Sequence, residues 1–382
     1  MIQPFTIDIP DKRLAAIMAK VKAYDWSQLP DAGGWTSGVG IEDLKRLVRY
    51  WGSDYDWRKA ERRLNALPQF KADIEGERIH FVHVKGDGSK PPLLLLHGWP
   101  GSFLEFERLL EPLAADGHDV VVPSLPGFAF SNPITGIIGP RRAGELMHGL
   151  MTKLFDDQRY IVQGGDWGAH IASWMAYTRP EALLGFHINM VSIYAEDATP
   201  ATAADKGLLA RRAEILDLET GYNHEQETRP QTLGVALADS PVGTAGWILE
   251  KFGAWADLPK RADGSPDLWS RFSEAELLTN IMLYIAPSAT VTATWIYRGK
   301  RLEGSSTFPA GAQVKAPMGV AAFPDPVFIP TPRSFAEKTY SNIVHWSDMP
   351  RGGHFAALEE PQLMLEDLRA FVAKVEERAP EI

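Results

Sequence analysis

The chain has no cysteine among its 382 residues. That absence excludes a disulfide framework, a thiolate metal site and a cysteine nucleophile, and it leaves the redox compartment open. Positive charge is also short, with 39 Lys and Arg against 49 Asp and Glu and a net charge of −10. No local Lys/Arg cluster makes up the deficit, so no nucleic-acid partner is expected. Long apolar runs are missing: the richest, PPLLLLHGW at 91–99, falls far below the roughly 20 residues that span a bilayer. The N-terminal MIQPFTIDIPDKR has neither the basic start nor the apolar stretch of a secretory signal. The expectation is a cytoplasmic protein with no membrane anchor. No G-x-S-x-G is present, which argues against a serine hydrolase, and no histidine pair has metal-ligand spacing, so no metal is expected.

What is present is ordinary for a globular protein, 45% hydrophobic and 23% charged. Residues 1–67 read as helical and wrapping. Asp11 is placed to cap a helix through Val21, and further helices are expected from Ile41 to Trp51 and from Asp56 to Leu67. Trp26, Trp35, Trp51 and Trp57 in this segment are expected to pack onto another part of the chain. Phe70–Ile74 and Arg78–Val84 then alternate like a hairpin across Glu75-Gly76. Short apolar runs follow at Pro92–Leu96, Val120–Val122, Tyr160–Val162 and Leu183–Ile188, each separated by a helix-length stretch. Parallel strands covered by helices on both faces have this pattern. Residues 196–300 read as helices only (Ala204–Leu218, Thr232–Ala238, Val242–Trp255 and Glu274–Ala286). Strands resume at Val314–Ala322 and Ile343–Trp346, before a last helix from Pro361 to Val375. The organisation expected is a wrapping segment at 1–67, an α/β core at 68–195 and 301–382, and a helical cap at 196–300.

Three segments carry chemistry. Gly164-Gly165-Asp166-Trp167-Gly168 follows an apolar strand and precedes a helix, the context of a nucleophile elbow. The central residue is an aspartate, which displaces well at an sp³ carbon and forms an ester. Read alone, it could equally be a buried aspartate at a helix N-terminus, where the dipole favours negative charge. His97-Gly98-Trp99-Pro100-Gly101-Ser102 follows the strand before it. The backbone N–H groups of Trp99 and Trp167 are the expected oxyanion donors. Arg351-Gly352-Gly353-His354-Phe355 comes late, so that nucleophile, acid and histidine would appear in α/β-hydrolase order. His170, His187 and His345 lie in apolar contexts and read as structural. The acid belongs on the loop after Val314–Ala322, where Asp325 comes first; Asp348 is the competitor.

Together these motifs resemble the epoxide hydrolases of the microsomal type. The resemblance runs over nearly the whole chain: Tyr50-Trp51 through Tyr55-Asp56-Trp57-Arg58, HGWPGS at 97–102, SLPGFAFS at 124–131, GGDWG at 164–168, DSPVG at 239–243 and RGGHFAALEEP at 351–361. It implies an α/β-hydrolase fold with a mostly parallel central sheet, an inserted helical cap and an N-terminal wrapping segment. It implies hydrolysis of an epoxide to a vicinal diol through an ester on Asp166, with His354 as general base, Asp325 orienting it, and no cofactor. Two cap tyrosines, matching Tyr222 and Tyr297, would donate to the epoxide oxygen. Tyr297 matches a position at the end of a cap helix. His97, Trp99, Pro100 and Trp167 would line the substrate pocket, and its aromatic character fits a small apolar epoxide. Relatives of this type carry a membrane anchor before the wrapping domain; this chain begins at that domain, which implies a form without one. The reading leaves room for a homodimer.

One position departs from the family. Its acid comes two residues after Phe-Pro, and here that place after Phe323-Pro324 holds Pro326, with Asp325 just before it. Two alternatives share the machinery. A haloalkane dehalogenase would use the same aspartate with halide donors in place of paired tyrosines. A non-catalytic ligand-binding protein could retain the fold alone.

Overall fold

The apolar runs become strands of one nine-stranded sheet in a computed structural model that describes residues 1–378. In chain order the strands are β1 (Ile2–Pro4), β2 (Gln69–Ile74), β3 (Glu77–Val84), β4 (Leu93–Leu96), β5 (Val120–Pro123), β6 (Tyr160–Gly164), β7 (Leu183–Ile188), β8 (Met318–Ala322) and β9 (Ile343–Asp348). Their spatial order is β1-β2-β3-β5-β4-β6-β7-β8-β9. β1, β2, β3 and β5 pair antiparallel, and every pair from β5 to β9 is parallel. Helices cover both faces, so the central strands have no polar side. All four leucines of β4 are 0% exposed, each contributing about 1.5–3 kcal/mol by burial. The β2–β3 turn has Glu75 at φ 47° and Gly76 at φ 91°, the paired positive φ values that suit the twist of a two-residue hairpin.

The strand order reverses at β4, which pairs with β5 on one side and β6 on the other. At such a switch point the loops leaving the strands splay apart and open a crevice at their carboxyl ends. The loops after β4, β6, β8 and β9 all meet there. Between β7 and β8 the chain leaves the sheet and forms six helices: Ala203–Glu219, Gly221–Thr228, Pro230–Asp239, Pro241–Trp255, Glu274–Ile285 and Trp295–Glu303. Their ends are locally encoded. Thr202 with Asp205, and Ser273 with Glu276, form capping boxes. Pro230 and Pro241 occupy first helical positions, and Gly304 closes the last helix at φ 61°.

Several expectations need correction. Two insertion helices, Gly221–Thr228 and Trp295–Glu303, lie outside the stretches read as helical from the sequence pattern, although the resemblance puts Tyr297 at the end of a cap helix. Tyr297 lies in the first turn of the second of them, which runs past residue 300. β8 begins at Met318 rather than Val314, because Pro317 interrupts the ladder; Val314 makes only an isolated bridge to Tyr340. Asp11 does not cap its helix. Pro10 holds the cap position without a side-chain bond, and Asp11 pairs with Arg58 instead. β1 adds a strand to a segment that reads as helical. The tryptophans do pack inward. Trp51 and Trp57 are buried, and the Trp35 ring lies where a Cβ on Gly253 would fall 2.3 Å from it. Asp43 ties this layer together, accepting from the indoles of Trp35 (2.8 Å) and Trp269 (2.6 Å) and from both terminal nitrogens of Arg261 (2.9 Å each). Among the described residues no helix is long and apolar enough to cross a membrane.

Candidate active site

The turn between β6 and the helix Trp167–Thr178 puts Asp166 at φ 48°, ψ −121°. A non-glycine residue there stores on the order of 1–3 kcal/mol of strain, and its neighbours make it feasible. A Cβ on Gly164 would come 2.3 Å from the Gly168 backbone, and one on Gly168 would come 1.9 Å from the Leu96 carbonyl. The turn is tight enough to admit hydrogen only. Asp166 stands at the N-cap of the helix that follows it, but its side chain makes no capping bond. Its carboxylate points across to the β4 loop, where Oδ1 accepts from the Trp99 backbone N–H at 2.8 Å. A Cβ on Gly98 would lie 2.0 Å from that same Oδ1, so the glycine is what lets the carboxylate reach Trp99. Trp167 opens the helix, so its N–H has no intrahelical acceptor.

His354 comes from the loop after β9. Its Nε2 lies 3.4 Å from Asp166 Oδ2, at ion-pair distance without a well-aligned hydrogen bond. Its Nδ1 lies 2.8 Å from Asp325 Oδ2. The other oxygen of Asp325 accepts the backbone N–H groups of Val327 and Phe328, both at 2.8 Å. The loop after β8 thus delivers Asp325 itself, and Pro326 at the family position is passed over. Asp348 ends β9, is exposed, and accepts from the Trp346 indole at 3.2 Å. Burial works against charge on His354, but Asp166 and Asp325 at its two ring nitrogens outweigh burial and push it up to about 10.

The insertion delivers the aromatic wall. Tyr222 stacks on Trp99 at 5.1 Å and 11°, and Tyr297 meets the Trp167 ring edge-on at 4.6 Å and Tyr222 at 5.8 Å. Both tyrosines are buried. Burial, and then the charge of Asp166, push the Tyr222 phenol well above its ordinary range; burial, the Tyr222 phenol and Asp166 do the same to Tyr297. Both therefore stay protonated donors. The hydroxyl of Tyr297, the indole N–H of Trp167 and Nε2 of His354 are buried without a hydrogen-bond partner among the described residues, the state of groups built to meet a polar ligand.

Not every predicted residue faces that wall. His97 was expected to line the pocket, but it is fully buried with both ring nitrogens committed: Nδ1 to the Gly98 carbonyl at 3.0 Å, and Nε2 accepting from Leu125 N–H at 3.2 Å. Burial pulls it down to about 4, so it is a neutral brace for the turn. Pro100 presents its carbonyl to the Asn280 amide at 2.8 Å. Other residues that shape the site had no readable signal. The Trp255 carbonyl accepts the His354 N–H at 3.0 Å and its ring packs on the imidazole at 4.8 Å. Glu359 accepts the backbone N–H groups of Asp257 (2.8 Å), Gly353 (3.0 Å) and Phe355 (2.9 Å), fixing the histidine loop. Glu359 lies inside the RGGHFAALEEP stretch, where its spacing from His354 was visible but its target was not. His187 and His345 share Asp367 at 2.8 and 2.7 Å, away from this site.

Comparison with known proteins shows which family the chain is similar to. The profile described as "Epoxide hydrolase N terminus" matches residues 2–106, and that described as "alpha/beta hydrolase fold" matches residues 91–284. The chain is 36% identical to juvenile hormone epoxide hydrolase 2 of Ctenocephalides felis over 98% of its own length and 86% of the relative. It belongs to the epoxide hydrolase family. Epoxide hydrolase 1 of Oryctolagus cuniculus is 34% identical over 98% of this chain and 89% of its own. The solved structure of Aspergillus niger epoxide hydrolase superposes with a TM-score of 0.83 at 32% identity, covering 98% of this chain and 97% of that one. The α/β-hydrolase fold and the resemblance drawn from the motifs are both borne out.

Proposed function

We propose that this member of the epoxide hydrolase family opens a small apolar epoxide in two covalent steps, with Asp166 as nucleophile. The observation that carries the proposal is the division of labour between its two oxygens. Oδ1 is held by the Trp99 N–H at 2.8 Å, while Oδ2 has only His354 at 3.4 Å. Oδ2 is the oxygen free to attack. Oδ1 becomes the ester carbonyl and already sits in its oxyanion site, with the N–H of Trp167 as second donor.

In the first step a bond forms between Oδ2 and an epoxide carbon, and the carbon–oxygen bond of the ring breaks. Tyr222 and Tyr297 donate to the departing oxygen. A neutral phenol suits this role, because the alkoxide is a stronger base than phenolate. Esterification removes the negative charge of Asp166 that helped hold a proton on His354, so that proton passes to the new alkoxide by way of the tyrosines. The histidine is left neutral, and the first step thereby arms the base for the second.

In the second step Nε2 takes a proton from water, whose oxygen bonds to Cγ of Asp166. The tetrahedral oxyanion is met by the N–H groups of Trp99 and Trp167; losing one such donor costs about 2.7–4 kcal/mol of barrier. Collapse breaks the bond from Cγ to the alkyl oxygen. That oxygen takes the proton from His354, the diol leaves, and the Asp166 carboxyl returns its proton to the imidazole. The cycle closes with Asp166 ionised and His354 protonated. Asp325 keeps Nδ1 as the proton-bearing nitrogen throughout. In this reading residues 196–300 act as a cap that brings the tyrosines over the core at 68–195 and 301–382, with 1–67 wrapped around them.

Single turnover in water labelled with heavy oxygen tests the path. Label should enter the Asp166 carboxylate, read by mass spectrometry of the peptide that contains it. Label appearing only in the first-turnover diol would mean direct attack by water.

A further inference from the structure

A second cavity, of about 310 Å³, lies behind the loop that carries Trp99. None of Asp166, His354, Tyr222 or Tyr297 lines it. Its inner end is formed by Gly101, Leu104, Glu105, Phe252, Leu277 and Asn280, and its outer rim by the ion pairs Arg63–Glu107 and Arg108–Glu276. Leu104, Phe252, Leu277 and Asn280 are buried, whereas the side chains of Arg63 and Arg108 are 46% and 54% exposed, so the cavity runs inward from a charged, solvated mouth.

The inner wall is the reverse side of the catalytic segments. Asn280 donates to the Pro100 carbonyl at 2.8 Å and the Tyr284 hydroxyl to the Gly101 carbonyl at 2.5 Å, so this wall grips the residues next to the oxyanion donor Trp99. Phe252 stacks on Phe355, the residue after His354, at 4.0 Å and 3°. Glu105 stands at the junction. A Cβ on Gly101 would fall 1.6 Å from its Oε1, so the carboxyl lies directly over the loop. It forms no salt bridge with Lys or Arg among the described residues, and its carboxyl takes a hydrogen bond from the Ser102 backbone. It borders the cavity and is partly open to it. Burial raises it to about 8, with His354 and a backbone hydrogen bond from Ser102 opposing and Asp166 and Glu359 adding to the rise. At neutral pH it is mostly a carboxylic acid, able to donate to and accept from the same water.

The covalent path needs such a supply. Once the ester forms, the alkyl group and its new hydroxyl fill the aromatic side under Tyr222 and Tyr297, and the next water must come from elsewhere. We propose that the rear cavity is the route by which water reaches the ester on Asp166, and that Glu105 is the positioning residue that orients it toward Cγ and Nε2 of His354. The inference rests on the covalent reading above.

Rapid-quench measurement with styrene oxide tests it, following the ester adduct by intact-protein mass and the diol by chromatography. In Glu105→Gln, ester formation should proceed as in the unaltered enzyme while ester hydrolysis slows on the order of tenfold to a hundredfold, the scale of a misplaced reactant, so that adduct accumulates. Leu277→Trp, which fills the cavity from the insertion side, should produce the same split. If both variants hydrolyse the ester at the original rate, the water-route inference is overturned while the covalent reading stands. If both rates fall together with the melting temperature, Glu105 is structural and the inference is equally overturned. If no adduct forms in the unaltered enzyme, the covalent reading fails first and takes the inference with it.

Discussion

Replacing Asp325 by Asn separates the two half-reactions. The carboxylate uses one oxygen for the backbone N–H groups of Val327 and Phe328 and the other for His354 Nδ1, all at 2.8 Å. In Asp325→Asn the amide oxygen keeps the two backbone bonds, because those donors cannot turn away. The amide NH₂ then faces Nδ1. Two donors cannot share a hydrogen bond, so Nδ1 becomes the acceptor and the ring proton moves to Nε2. A neutral imidazole with its proton on Nε2 cannot take one from water. The same tautomer inversion in a Ser-His-Asp triad lowers kcat by about 10⁴, roughly 5.4 kcal/mol at 1.36 kcal/mol per decade. Here the loss should fall on ester hydrolysis. Attack by Asp166 needs no base, and Tyr222 and Tyr297 still donate to the alkoxide, which draws its proton from solvent in place of His354, so the ester should form, though more slowly, and then persist, visible as a mass adduct on quenched enzyme. Asp348→Asn is the control, since Asp348 is exposed and bonded to the Trp346 indole; it should leave both steps nearly unchanged. The reasoning is refuted if Asp325→Asn builds up no ester and loses less than about tenfold in kcat, or if Asp348→Asn produces the effect instead.

Tyr222→Phe and Tyr297→Phe should each slow ester formation by about 10², the lower range for loss of one oxyanion-type donor, with ester hydrolysis little changed in the same quench experiment. Gly98→Ala places a Cβ 2.0 Å from Asp166 Oδ1; displacing the nucleophile should cost at least about 10² in ester formation while circular dichroism shows the fold intact. His354 provides a pH test of stability. Its proton is held from an ordinary value of 6.5 up to about 10, a raised folded value. Its contribution is therefore complete below pH 6.5 and is lost as pH climbs through 10. Urea midpoints of the unaltered enzyme and of His354→Gln should lie furthest apart near pH 6.5 and converge toward pH 10; a gap that widens with pH would contradict the assignment.

Much of this protein was legible along the chain, because those features are local. Short continuous apolar runs bounded by turn residues fit strands covered on both faces, and Leu93–Leu96, Tyr160–Gly164 and Leu183–Ile188 became the central sheet. The glycines around Asp166 announce a turn too tight for side chains, and the contacts at Gly164 and Gly168 bear this out. The paired turn at Glu75-Gly76 and the first-position prolines act over a few residues in the same way. Tyr222 and Tyr297 were reached only through family resemblance, since each lies on a short helix with no clear periodicity.

Other features were decided by the tertiary structure alone. Which aspartate serves His354 depends on how the loop after β8 curls, and its two backbone N–H groups turn Asp325, not Asp348, toward the imidazole. His97 sits beside the oxyanion donor in sequence, yet packing turns its ring into the backbone and away from the aromatic wall. Glu359 and Trp255 gain their meaning only when the histidine loop folds onto them. Glu105 looks like an ordinary first-turn acid until a cavity opens beside it and the Gly101 backbone passes beneath it. The physical reason is the same each time. Periodicity and turn chemistry act over a few bonds and leave their mark in adjacent residues, whereas the direction in which a side chain finally points is set by elements distant in the chain that meet only when the sheet and its helical insertion close together.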